Sequence, residues 1–324
     1  MQVFSTDDLE AAQRVVYAAM PPTPQYAWPL LRERLGAEVW VKHENHTPLG
    51  AFKLRGGLVY IDALIQREPA CRGVISATRG NHGQSIAFAA RRHGLSATIV
   101  VPHGNSTEKN AAMRALGAEL IEHGSDFQQA REHAAAIASE RGLHFVPSFH
   151  RDLVRGVASY WIEFFRAVQP AVAFVPVGQG SGICACIAAR AATGATTRIV
   201  GVVSAHATAY LDSFRAGRRI EAPVTPVLAD GMACRVPDEE PLALMRREVD
   251  DIVAVTDAEV AAAMRALFSD THNAAEGAGA ASLAAALQQR DRWRGRSIGV
   301  TLCGGNVDRV LFARVLAGDD GKGR

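Results

Sequence analysis

Short apolar runs alternate along the chain with longer segments of helical periodicity, which is the pattern of an α/β protein. The first half contains four predicted strands, each followed by a helical segment: 37–41, 73–77, 97–101 and 118–121. The second half repeats this rhythm from a strand at 144–146 to a last strand at 297–302. Parallel strands joined by helices need cover on both faces, so the pattern predicts mainly parallel open sheets flanked by helices.

Composition narrows the class of protein. The 324 residues suffice for two domains, and 48% of them are hydrophobic. Lysine plus arginine number 35 against 33 acidic residues, so the net charge of +2 gives no reason to expect nucleic acid or a membrane surface as partner. No run approaches the length of a transmembrane helix, and the acidic N-terminal segment is unlike a signal peptide, so we expect a cytoplasmic protein. Only the tail, 318–324, is predicted to be disordered.

The five cysteines do not predict a disulfide framework, because their number is odd and the chain is large. Cys184 and Cys186 form the one close pair, and no second pair stands at zinc spacing, so no metal site is expected.

Lys53 is the first candidate for chemistry. The strand at 37–41 leads into a turn that contains Pro48 and Gly50, and a helical pattern follows from Ala51. Lys53 falls in the first helical turn, where partial positive charge lowers the pKa of an ammonium group. A partly neutral lysine can attack a carbonyl, whereas the same pattern also fits an ordinary solvated helix lysine.

Two later loops follow a predicted strand and open a helix, so their backbone N–H groups can face an anion. The loop 76–84, SATRGNHGQ, also fits a plain turn capped by Asn81 and His82. The loop 177–183, VGQGSGI, has glycines that let the backbone approach a phosphate closely. A dinucleotide site would have a third glycine at position 183, where this loop has Ile183, and an acid at the end of the next strand, which is also missing here. The loop therefore favours a monophosphate over a nicotinamide cofactor.

The segment 45–57, NHTPLGAFKLRGG, resembles the cofactor-lysine segment of the serine/threonine dehydratases, which are fold type II enzymes dependent on pyridoxal 5′-phosphate (PLP). The other loops follow in the family's order, so the resemblance covers nearly the whole chain. It implies PLP as cofactor, an internal Schiff base at Lys53, an amino-acid substrate and a homodimer. It also implies two α/β domains, a smaller inserted one at 47–150 and a larger PLP-binding one formed by 1–46 and 151–324.

The resemblance gives each loop a role. The cofactor-binding residues would be Lys53, Asn81, Gly178, Gln179, Gly180, Ser181, Gly182 and Cys303. The residues around the substrate carboxylate would be Thr78, Arg79, Gly80, Asn81 and His82. Cys303 would face the pyridine nitrogen, although a buried cysteine is most often a small core residue.

The chain departs from the family at three points. Thr78 replaces a serine, and Arg79 stands where serine racemases carry the serine that exchanges the α-proton. The region 202–206, where several relatives have a glutamate that binds a divalent ion, has no carboxylate, so weak or absent metal activation is expected, with Asp230 as a remaining ligand.

The activity that the resemblance implies is α,β-elimination, which converts a β-hydroxy amino acid to a 2-oxo acid and ammonia. Lys53 would remove the α-proton as general base. A β-replacement synthase or an amino-acid racemase of the same fold stays open, as does a ligand-binding relative without turnover. The phrases HENHTPLGAFK and TRGNHGQS are similar to a branch that includes phenylserine dehydratase and the hydroxyectoine-utilisation dehydratase, so phenylserine joins threonine and serine as a candidate substrate.

Overall fold

Two open sheets form the framework of the protein, a computed structural model of which describes residues 4–225 and 228–320. The strands are β1 (Gln25–Ala27), β2 (Glu38–His43), β3 (Gly73–Ala77), β4 (Ser96–Val101), β5 (Glu119–Glu122), β6 (His144–Phe145), β7 (Val172–Pro176), β8 (Arg198–Ser204), β9 (Asp251–Val255) and β10 (Ser297–Leu302). The larger sheet has the order β1-β2-β10-β7-β8-β9, and the smaller has the order β5-β4-β3-β6. Every neighbouring pair is parallel except β1 with β2, so the predicted α/β fold is confirmed.

Helices cover both faces of each sheet. They are α1 (Thr6–Tyr17), α2 (Pro29–Leu35), α3 (Lys53–Arg67), α4 (Asn81–Arg92), α5 (Thr107–Ala115), α6 (Phe127–Arg141), α7 (Arg151–Ala167), α8 (Ser181–Thr193), α9 (Ala209–Ala216), α10 (Glu239–Glu248), α11 (Asp257–Thr271), α12 (Gly277–Gln288), α13 (Arg290–Trp293) and α14 (Arg309–Leu316). Local signals set several ends: Ser5 and Asp8 form a capping box at α1, and left-handed Gly36 ends α2. None of the described helices has the length and hydrophobicity that a membrane crossing requires.

The larger sheet is buried on both sides. In β7, the four residues 172–175 are all inaccessible, so the strand is a continuous apolar run rather than an alternating one. Helices α7, α8 and α10 pack against one face, and α2, α11 and α12 pack against the other. This burial fixes the positions at which the central strands β2, β10 and β7 end.

The smaller sheet comes from one continuous stretch of chain. Its four strands lie between Gly73 and Phe145, with α3, α4 and α5 on one face and α6 on the other. The stretch falls inside the predicted domain 47–150, whose limits stay a prediction.

A buried ionic network anchors the start of α3. The Arg55 guanidinium contacts Glu44 at 2.7 Å and Glu163 at 2.6 Å, and Lys42 contacts Glu163 at 2.6 Å. These side chains are at most 8% exposed, and the two cations balance the two carboxylates. The network ties β2 and the 3-10 turn Glu44–His46 to α7, so the first turn of α3 is rigidly placed.

Some predicted elements differ from the observed ones. The sequence pattern predicts a helix over 205–215, whereas α9 begins four residues later at Ala209, and β1, α10 and α14 were not predicted. In the tail, which we predicted to be disordered, Asp320 pairs with Arg265 at 3.0 Å, and residues 321–324 lie outside the described part of the chain. Pro226, in the loose proline-containing stretch before α10, also lies outside it.

Candidate active site

A cavity of about 120 Å³ lies where the carboxyl ends of β7 and β10 face the carboxyl end of β3. Open α/β sheets generally bind ligands at this edge, because the loops that follow parallel strands meet there. The lining includes all of the predicted site residues: Lys53, Thr78, Arg79, Gly80, Asn81, His82, Gly178, Gln179, Gly180, Ser181, Gly182 and Cys303. The fold therefore brings together loops that are far apart in sequence, while the individual roles of these residues stay predictions.

Lys53 is the first residue of α3, and its amine reaches across the cavity. The Nζ atom lies 3.0 Å from the hydroxyl of Ser181 at the start of α8. Burial lowers the pKa of Lys53 to about 8, against the opposing effects of Cys303 and Glu276. The direction agrees with the sequence prediction, but the main cause is burial rather than the helix N-terminus that we had expected.

The backbone just before Lys53 is held by the last strand of the sheet. Ala51 forms an isolated antiparallel bridge with Gly304, and the Phe52 N–H donates to the Cys303 carbonyl at 3.0 Å. The lysine is therefore positioned by the segment that also carries Cys303.

The glycine-rich loop between β7 and α8 is closely packed from behind. A Cβ on Gly178 would lie 2.5 Å from the carbonyl oxygen of Gly231, and Gly180 has a φ of +98°. Only glycine fits these two positions without a shift of the backbone. The first N–H groups of the 13-residue helix α8 lack intrahelical partners, so they and the Ser181 hydroxyl can bind an anion such as a phosphate.

The loop between β3 and α4 presents a second group of donors. The Thr78 hydroxyl oxygen accepts hydrogen bonds from the N–H groups of Gly80 at 2.9 Å and Gly83 at 3.3 Å, which leaves its own hydrogen free to donate. Burial lowers the pKa of His82 to about 3, so the ring is neutral at pH 7, and its Nε2 atom has no partner in the described part of the chain. The predicted carboxylate site thus consists of neutral donors, together with Arg79.

Cys303 is a neutral thiol at the floor of the cavity. It is 5% exposed, and its Sγ atom donates to the Ala278 carbonyl at 3.5 Å. Burial raises the pKa of this thiol well above its usual range. A neutral weak donor is what the resemblance requires beside a pyridine nitrogen that is not held protonated.

Sequence reasoning missed a charged cluster beside the cavity. Glu276 precedes α12 and is buried; it accepts from Asn81 Nδ2 at 2.5 Å and pairs with Lys109 at 2.9 Å. Lys109 also contacts Asp230 at 3.3 Å. The sequence EGAGA at 276–280 shows that an acid directly precedes a helix, but this pattern does not distinguish a site residue from an ordinary helix cap.

Asp230, which the sequence left as a possible metal ligand, contacts a lysine. Its carboxylate faces the Lys109 ammonium. Within 4–225 and 228–320, no group of three His, Cys, Asp or Glu side chains is arranged to hold a metal ion.

Comparison with known proteins identifies the ligand for which such a cavity is built. Residues 16–304 match the family described as "Pyridoxal-phosphate dependent enzyme". The chain belongs to this family. PLP is therefore its cofactor, and the residues fit that group: an amine of lowered pKa at Lys53, a loop in which Gly178 and Gly180 leave no room for a Cβ, and a neutral thiol at Cys303.

The relatives of this PLP enzyme include ammonia-lyases. It is 32% identical over 316 residues to an L-threonine ammonia-lyase of Thermotoga maritima, covering 97% of this chain and 78% of the relative. It is 30% identical to an L-threo-3-hydroxyaspartate ammonia-lyase of Saccharomyces cerevisiae, covering 97% and 96%. The processed threonine deaminase isoform 2 of Solanum lycopersicum has the same fold, with a TM-score of 0.87, 28% identity and coverage of 98% and 95%.

Proposed function

We propose that this PLP-dependent lyase converts an L-β-hydroxy amino acid to a 2-oxo acid and ammonia by α,β-elimination. The observation that carries the proposal is the buried amine of Lys53, which faces both the glycine-rich loop and the carboxylate loop across one cavity. The similarity to threonine and 3-hydroxyaspartate ammonia-lyases supports the same reaction class.

The loops that line the cavity would bind the cofactor and the substrate, and Lys53 would transfer the proton. The Gly178–Gly182 backbone and Ser181 would hold the phosphate of PLP, and Cys303 would lie against its ring. When bound, PLP withdraws electrons from the α-carbon of the substrate and makes the α-proton acidic. The Thr78 hydroxyl and the first N–H groups of α4 orient the substrate carboxylate.

Lys53 moves the proton. With a pKa of about 8, its amine is neutral in an appreciable fraction of molecules at pH 7 to 8, so it can accept the α-proton at Nζ. The Ser181 hydroxyl, 3.0 Å away, keeps this atom on one side of the cavity. Together, the α-proton and the β-hydroxyl leave as one water, and a second water then hydrolyses the resulting enamine to the 2-oxo acid and ammonia.

The direct test uses the purified holoenzyme and four substrates: threonine, serine, threo-3-hydroxyaspartate and phenylserine. We expect equimolar 2-oxo acid and ammonia from at least one of them, and no product from Lys53→Ala. Formation of a β-substituted product with an added thiol, at the expense of the 2-oxo acid, would instead identify a β-replacement synthase.

We also infer that the enzyme is a homodimer in the cytoplasm. Phe268 on α11 is 40% exposed, and Val310 and Leu316 on the adjacent α14 are 64% and 36% exposed, which supports an apolar contact between subunits. Val310→Glu is expected to shift the protein toward the monomer in sedimentation velocity. A monomeric wild-type protein at micromolar concentration would contradict the inference.

A further inference from the structure

Arg79 lines the site and is a cation without an ion-pair partner in the described part of the chain. No carboxylate in residues 4–225 and 228–320 lies within ion-pair distance of its guanidinium, and its buried Nε atom has no hydrogen-bond partner there. Partly buried guanidinium groups are normally paired, because taking an unpaired charge out of water is costly. An unpaired one at a cavity therefore points to a ligand that supplies the anion.

Arg79 lies at the border between two cavities. Arg79 lines the inner cavity together with Lys53, and it also lines an adjoining outer cavity of about 1140 Å³. A group bound by Arg79 would thus project from the substrate toward the outer cavity.

The substrate α-carboxylate does not require Arg79. The free Thr78 hydroxyl hydrogen and the first N–H groups of the 12-residue helix α4 are neutral donors at the same loop. The guanidinium is an additional donor, and its fork matches the two oxygens of a second carboxylate.

The other charges around the cavities favour an anion over a cation. Asp230 and Glu276 both contact the Lys109 ammonium, and burial raises the pKa of Glu276, which favours its neutral form. Burial raises the pKa of Asp238 on the outer wall, and the positive charge of Arg131 opposes this rise. In the described part of the chain, the inner cavity has two basic side chains without an ion-pair carboxylate, Lys53 and Arg79, and Lys53 is the one assigned to the cofactor.

We propose that Arg79 binds a second carboxylate on the β-carbon of the substrate, so that the preferred substrate is a dicarboxylic β-hydroxy amino acid. This inference rests on the proposed elimination activity and specifies its substrate class. Arg79 is then a specificity residue, because it contacts the substrate away from the bond that breaks.

Kinetic comparison of two substrates tests the proposal. The holoenzyme should have a higher kcat/KM for L-threo-3-hydroxyaspartate than for L-threonine. Arg79→Met should lower the value for hydroxyaspartate about 100-fold, since two charge-assisted hydrogen bonds are lost, and the value for threonine less than about threefold. Arg79→Lys should fall between the two proteins, and Arg131→Met should keep the wild-type preference.

Equilibrium binding separates this inference from the proposed function. L-Aspartate and L-2-aminobutyrate carry no β-hydroxyl and cannot undergo the elimination. We expect calorimetry to show tighter binding of aspartate to the wild-type holoenzyme and loss of the difference in Arg79→Met, even if no β-hydroxy amino acid is turned over.

Three results would overturn the proposal. Equal losses for both substrates in Arg79→Met would assign Arg79 to the shared α-carboxylate. A wild-type preference for threonine would show that no second carboxylate is selected. A selective loss with phenylserine would mean that the guanidinium stacks on an aromatic ring. If Arg79→Met fails to fold, the binding of L-aspartate and L-2-aminobutyrate is compared in Arg79→Lys and in the wild type. Equal affinities of the wild type for these two ligands would also refute the proposal.

Discussion

The Asn81 side-chain amide donates a hydrogen bond of 2.5 Å to the buried carboxylate of Glu276, and this contact joins the two sheets beside Lys53. Asn81 begins α4 on the smaller sheet, and Glu276 precedes α12 on the larger one. Asn306 reinforces the contact by donating to Asn81 Oδ1 at 2.9 Å. Both polar ends of the Asn81 amide are therefore fixed, which holds the carboxylate loop at a set distance from the floor of the cavity.

Removal of the Glu276 charge should reduce turnover without removing the cofactor. Glu276→Gln keeps an acceptor for Asn81 but leaves Lys109 with Asp230 alone, so we expect kcat/KM to fall about tenfold and Glu276→Ala to lose more. Steady-state kinetics and the absorbance of bound PLP measure the two effects. Glu259→Gln, at the exposed cap of α11, serves as control, and equal losses in it would refute a local role for Glu276.

Lys53 should be the lysine that carries PLP. Borohydride reduction followed by peptide mapping is expected to label Lys53 and to leave Lys42 and Lys109 unlabelled, because both of these are paired with carboxylates. In the apoprotein, burial lowers the pKa of Lys53, so its reactive neutral form grows as pH rises through about 8 rather than near 10.5. An acylation midpoint above pH 10 would contradict this.

Gly178→Ala should weaken PLP binding. The added Cβ would lie 2.5 Å from the Gly231 carbonyl oxygen, so the glycine-rich loop has to move. We expect at least a tenfold rise in the Kd for PLP, measured by fluorescence titration of the apoprotein. Gly194→Ala is the matched control at the opposite end of α8, since its Cβ meets nothing within 4 Å, and it should cost about 1 kcal/mol of stability while PLP affinity stays unchanged.

Glu44→Gln should destabilise the fold. It leaves the buried Lys42 and Arg55 with one carboxylate between them, and removal of one partner from a buried ion pair costs about 3–5 kcal/mol in the free energy of unfolding. Urea denaturation of the apoprotein gives this value. Glu119→Gln breaks an exposed pair with Arg141 and should cost no more than about 1 kcal/mol. Similar losses in the two variants would show that the network is not a principal anchor of α3.

Elimination should proceed with little racemisation. By the family resemblance, Arg79 would occupy the place of the racemase serine, and a guanidinium is too basic to release a proton near neutral pH. Chiral chromatography of the residual L-substrate, beside a 2-oxo acid assay, is expected to find little D-isomer. Arg79→Ser should raise the ratio of racemisation to elimination. Abundant D-isomer from the wild-type enzyme would identify another proton donor.

Local sequence patterns were sufficient for the loops but not for the cluster that joins them. Lys53, Thr78 and Ser181 each follow a strand and open a helix, so their positions at one edge of the sheets could be predicted from the alternation of elements. Glu276 and Asn81 are 195 residues apart, and no local pattern reports which acid a distant amide will contact. The short edge strand β1 was missed because it directly follows a proline-rich turn.

The cause of the Lys53 pKa shift shows the same limit. A helix N-terminus can be predicted from the turn before it, whereas burial depends on every element that closes the cavity. Likewise, α14 packs on α11 through Phe312 and Phe268. An apolar segment of eight residues does not by itself predict which helix it will contact.

The bridge between Ala51 and Gly304 makes the site dependent on nearly the whole chain. During synthesis, the reactive lysine leaves the ribosome well before the strand that holds its backbone and the thiol beneath it are made. A partly synthesised chain therefore lacks a completed cavity around the amine. The cavity that encloses PLP can therefore close only after the segment around Gly304 has been made and has paired with Ala51.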